Sequence, residues 1–82
     1  MYDINEKEIK KGDILQQPGF ENVHLVFGCD TLKVTAGVPW LGCIILFSEL
    51  AKKNKIIGNI YDNPELFPNL EEFKKEIKDL DV

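Results

Sequence analysis

The chain contains no arginine, one histidine, one tryptophan, one methionine and two cysteines in 82 residues. Without arginine it lacks the planar fork that most often reads bases and phosphates. One histidine and two widely spaced cysteines, with no CxxC, leave no ligand set for a zinc ribbon. No Walker loop, GxGxxG or GxSxG occurs, so the residue patterns that announce nucleotide or hydrolase chemistry are missing. No apolar run approaches the roughly 18–20 residues that a membrane span requires. The opening MYDINEKEIKKGD holds no apolar h-region, so no signal peptide is expected and the cytoplasm is the expected location.

What is present suits one small folded domain. The apolar fraction is 44% and the charged fraction 29%, and this length sits near the lower limit for a self-sufficient core. Charge is unevenly spread. Residues 1–61 carry seven acids and seven lysines, whereas residues 62–82 carry seven acids against three lysines, so the net charge of −4 resides in the last quarter. Such a tail repels phosphate and weighs against nucleic acid as a partner.

The chain is organised around residues 55–67, KIIGNIYDNPELF. An apolar strand-like run (Ile56, Ile57, Ile60, Tyr61) is broken at Gly58-Asn59 and stops at Asp62-Asn63-Pro64, a dense turn signal. Asn and Asp there are expected to bond their own backbone, with a one-turn helix opening at Pro64 behind Asp62 or Asn63. Earlier, Lys11-Gly12-Asp13 is a turn that delivers Ile14 and Leu15 into a sheet, and Pro18-Gly19 punctuates a loop. Val23, Leu25 and Phe27 alternate with His24, Val26 and Gly28, and Leu32 and Val34 follow a Gly28-Cys29-Asp30 turn, the clearest hairpin pattern in the chain. Cys43, Ile44, Ile45, Leu46 and Phe47 read as a core strand, with a short buried helix as the alternative, and Ser48 as the cap of a helical turn stopped by Asn54. In the tail, Leu70, Phe73, Ile77 and Leu80 recur at helical spacing behind an Asn69 N-cap. This predicts a mainly β (α+β) domain, 1–82: a small SH3-like bent antiparallel barrel of about five strands over 1–67, closed by a C-terminal amphipathic α-helix over 68–82. The helix is too short to stand alone, so its stripe must cover either its own barrel or a partner chain.

Two blocks carry a family resemblance. Ile9, Gly12, Asp13, Ile14 and Leu15, followed after a variable β-rich middle by residues 57–66 (IGNIYDNPEL), resemble the YopX-like proteins of phages and prophages. The resemblance spans roughly residues 2–67, and the second block is the more specific. It implies a phage or prophage origin, hence a bacterial host cytoplasm, and a β-rich fold. It brings no catalytic residues.

Candidate sites are few. His24 is expected at a rim position. Cys29 and Cys43 are expected as small core hydrophobes, with a disulfide as the alternative. Pairing either thiol with His24 for nucleophilic chemistry would need an oxyanion hole and an orienting acid, which no pattern supplies. Trp40, with Val38 and Leu41 in a Gly- and Pro-containing loop, is either a core cap or a contact hot spot. The expected function is therefore a non-catalytic module with no cofactor and no metal, binding a host or phage protein in a regulatory or counter-defence role and able to self-associate. Its candidate protein interface is Trp40, Val38, Leu41, Phe73 and Ile77. The alternative is a nucleic-acid-binding small barrel, which would gather Lys7, Lys10, Lys11, Lys33, Lys52, Lys53 and Lys55 around Phe20 or Trp40.

Overall fold

A computed structural model describes residues 1–28, 31–36 and 42–67, together with Leu70, Glu71 and Lys75. The fold is mainly β. Five strands, β1 (Asp13–Gln16), β2 (Val23–Phe27), β3 (Lys33–Ala36), β4 (Gly42–Ile45) and β5 (Lys55–Asn59), form one antiparallel sheet in the order β4-β3-β2-β1-β5. A single helical turn, α1 (Ser48–Ala51), links β4 to β5, and a 3₁₀ turn, Pro64–Leu66, follows β5.

The central strand β2 changes partner along its length. Its first half pairs with β1, Leu25 opposite Ile14 and Val23 opposite Gln16. Its second half pairs with β3, Val26 opposite Val34 and Phe27 opposite Lys33. Between the two, the Thr35 side chain takes over from the ladder: the backbone N–H of Leu25 donates to Thr35 Oγ1 at 3.0 Å, while the Thr35 carbonyl accepts from His24 Nδ1 at 2.6 Å. A threonine hydroxyl and a histidine ring thus satisfy backbone groups at the point where β3 departs from β2, which lets the sheet bend without stranding them.

Both faces of β1 and β2 are covered. Strand alternation puts Ile14, Val23, Leu25 and Phe27 on one face, where Ile60, Phe67 and Leu70 pack against them. The other face carries Leu15, Val26 and Val34, packed by Ile9, Leu46 and Ala51 with Leu50 and Ile56 alongside. The opening turn reaches the 55–67 block. Gly12 donates to the Val26 carbonyl and accepts from Ile60 N–H. Its φ of +96° is one that only glycine adopts without strain, and a Cβ there would lie 2.7 Å from the Tyr61 ring. At the far end Asn59 makes the expected turn: its Oδ1 accepts from the N–H groups of Tyr61 and Asp62.

Several expectations are corrected. Of the five residues read as a core strand, Leu46 alone is buried; Ile44 is 47% exposed, Ile45 60% and Phe47 53%, and Cys43 is exposed with a free thiol. The reason is position: β4 lies at the end of the sheet and pairs with β3 alone. Ser48 is the first helical residue rather than the cap; Phe47 occupies the cap position, with no side-chain bond. Asn63 precedes the 3₁₀ turn without capping it through its side chain. The sheet does not close on itself, β4 and β5 remaining at opposite ends. Cys29 and the turn around it lie outside the described residues.

Candidate functional site

The two ends of the sheet differ in what stands beside them. At β5, residues 1–9 fold into a small loop tied by Asp3 N–H to the Lys7 carbonyl (2.9 Å) and Ile9 N–H to the Met1 carbonyl (2.8 Å). Inside it the Asp3 carboxylate is 3% exposed. Its Oδ1 accepts from the N–H groups of Asn5 and Lys7, both at 2.8 Å, and its Oδ2 accepts from Ile56 N–H of β5 at 2.9 Å. Burial alone would push this carboxyl up. The backbone N–H of Ile56, then those of Lys7 and Asn5, and the Lys7 charge outweigh it and hold Asp3 below the ordinary aspartate value. Ile4 N–H adds a bond to the Asn54 carbonyl at 2.8 Å. The outer edge of β5 is therefore covered by the chain's own beginning.

Asp13 sits in the opposite electrostatic situation. Burial raises its pKa, and the negative charge of Asp3 adds to that, against the Lys10 N–H and ammonium. Its Oδ2 accepts from Lys10 N–H at 2.8 Å, which closes the turn into β1.

The edge at β4 has no such cover among the described residues. Leu46 N–H donates to the Leu32 carbonyl at 2.9 Å, in the same register that sets Ile44 opposite Val34. Alternation along an antiparallel strand then turns the N–H and C=O groups of Cys43 and Ile45 away from β3, toward the open side. The strand is short and contains no charge and no proline, the devices that usually blunt an edge. Successive residues Ile44 and Ile45 are exposed on opposite faces, and Phe47 extends the apolar surface. Chemically this edge can accept an added strand through main-chain hydrogen bonds, with apolar side chains on either face.

Val38, Trp40 and Leu41, and Phe73 and Ile77, lie outside the described residues. The first three belong to the segment joining β3 to β4. An uninterrupted apolar run has the same pattern whether its strand is central or terminal, so nothing in the residues marks Ile44, Ile45 and Phe47 as exposed. His24 is half-buried, its Nδ1 committed to Thr35, in keeping with a rim position. Among the described residues no group of three or more His, Cys, Asp or Glu could hold a metal ion, and no helix is long and apolar enough to cross a membrane. A shallow depression of about 540 Å³ lies over the N-terminal loop, lined by Tyr2, Asp3, Ile4, Glu6 and Lys52.

The blocks that carry the resemblance, around Gly12 and over residues 57–66, are the ones the fold brings into contact through Gly12, Ile60 and Tyr61. Comparison with protein families matches residues 1–68 to the YopX protein family. The chain belongs to that family. The match covers the strands, the N-terminal loop and the 3₁₀ turn, so the Asp3 clasp and the β4 edge both fall within the family region. No curated protein and no solved structure matches the chain.

Proposed function

We propose that this YopX family member is a phage- or prophage-encoded, non-catalytic module of the bacterial cytoplasm that binds a protein through the open edge of β4. The observation that carries the reading is the contrast in that edge: an uncharged strand with outward main-chain groups, flanked by exposed Ile44, Ile45 and Phe47. Val38, Trp40 and Leu41, which precede β4 in the sequence, are included in the proposed surface. The strand order, with β5 beside β1 and β2 shared by two halves, supports an SH3-like arrangement left open between β4 and β5. Leu70, buried against Phe27 and Ile14, supports an amphipathic helix over 68–82 that lies on its own sheet, with Phe73 and Ile77 on the stripe that Leu70 begins. A host or phage protein, or a second copy, is the partner class that strand addition implies, and regulation or counter-defence is the role that a phage origin suggests.

The test is light scattering of the purified chain across a dilution series, alongside capture from host lysate, for the natural sequence and for Ile44→Lys and Ile45→Lys. The expected result is that both variants keep the native circular dichroism spectrum and lose association. Association that survives both charges would overturn the reading. Binding that appears in lysate but collapses on nuclease treatment, or falls steeply with salt, would favour the nucleic-acid alternative.

A further inference from the structure

Where β3 leaves β2, residues Leu15, His24, Val34 and Ile44 of the sheet and Leu50 and Asn54 at the end of α1 enclose a cavity of about 30 Å³. Asn54 is 2% exposed, and its Nδ2 donates to the Leu50 carbonyl at 2.8 Å. A carbonyl oxygen only accepts, so the amide orientation is fixed and Oδ1 is the atom left over. Oδ1 is buried, and no described group donates to it. His24 is constrained in the same way. The Thr35 carbonyl requires a proton on Nδ1, so in the neutral ring Nε2 is an acceptor. The remaining lining side chains are aliphatic. Two of the lining residues therefore each carry one acceptor left over, and an unpaired buried amide oxygen is costly to keep.

We infer that this cavity is a binding site for one small molecule that donates two hydrogens, a single water bridging His24 Nε2 to Asn54 Oδ1. Its size agrees, since one water needs on the order of 10–15 Å³ of such space. The bridge spans the place where backbone pairing between β2 and β3 has stopped. It links the sheet to Asn54, which follows α1 and whose carbonyl accepts from the Ile4 N–H. The site shares Ile44 with the proposed β4 surface, but His24 and Asn54 lie outside it.

The deciding experiment uses the free, full chain: a crystal structure fine enough to show ordered water, and water-to-protein rotating-frame Overhauser transfer to the Asn54 amide and His24 ring protons. One ordered water within hydrogen-bond distance of both atoms, with transfer of the sign given by a long-lived water, is expected. A protein donor on Asn54 Oδ1, a closed cavity, or a water touching only one of the two atoms overturns the bridge. A double-mutant cycle with His24→Phe and Asn54→Leu is the second measurement. With the bridge in place, the second substitution should raise the unfolding constant at least about five-fold less once the first has been made. Strictly additive effects also overturn it.

Discussion

The two edge strands of this sheet differ less in sequence than in what the chain places beside them. Strand β5, KIIGN, and strand β4, GCII, are both short and rich in isoleucine, and each pairs with one neighbour only. Yet the outer N–H of Ile56 on β5 is consumed by a buried carboxylate 53 residues earlier in the chain, while Cys43 and Ile45 on β4 direct theirs outward. Among the described residues, β4 is then the edge whose outward groups at Cys43 and Ile45 have no main-chain cover. If the partner is a second copy, pairing of β4 with its equivalent closes a two-fold dimer instead of propagating a fibre.

The strongest way to break the contrast is to open the closed edge. Asp3→Ala removes the acceptor for three backbone N–H groups at once, and the expected cost is about 3–5 kcal/mol of stability, read from the shift of a urea denaturation midpoint. A loss under 1 kcal/mol would mean that water replaces the carboxylate and the clasp contributes little. Next in size is Gly12→Ala, which forces a side chain into φ +96° and against the Tyr61 ring; about 1–3 kcal/mol is expected in the same assay.

Acid tests the clasp without mutation. Because the folded-state pKa of Asp3 is depressed, its contribution is present above the ordinary aspartate range and disappears as pH falls through the depressed value. Asp13, with a raised pKa, acts in the other sense: its ionised form is disfavoured in the fold, so it subtracts stability once pH has risen past its ordinary value. Midpoints measured down the acid range should therefore fall less in Asp3→Asn than in the natural chain, and parallel curves would contradict this. Hydrogen exchange sharpens the comparison further. The Ile56 amide should exchange slowly and the amides of Cys43 and Ile45 fast, with Ile56 joining the fast group in Asp3→Asn. Smallest of all, Ile45→Lys should change stability by no more than about 0.5 kcal/mol, because its side chain is mostly in water already; a larger loss would show that the β4 face is covered.

Much of this arrangement was legible in the residues. The alternation of Val23, Leu25 and Phe27 fixes the face of β2, and Asn59 and Pro64 mark the turn and the 3₁₀ start, although the strand-like run read to Tyr61 ends at Asn59 and the helical turn ends at Ala51, ahead of Asn54. These are local effects of turn chemistry and side-chain period. The edge position of β4 was not legible, since being last in a sheet is decided by which strands find each other, and CIILF reads the same in either place. Nor was Asp3, whose partner Ile56 is remote; among seven acids in residues 1–61, nothing nearby marks it as the buried one. The Thr35 and His24 exchange at the bend was equally hidden, because both residues are ordinary strand neighbours until the ladder opens between them.

The distance in sequence between Asp3 and Ile56 also sets an order of events during synthesis. Residues 1–16 leave the ribosome first, but neither β1 nor the N-terminal loop can finish pairing until the last strand has emerged. The hairpin of β2 and β3 and its extension into β4 need only close neighbours, so they can assemble while the chain is still growing. The edge that stays open in the finished protein is thus built from short-range pairings, and the edge that is shut closes only after nearly the whole family region has been made.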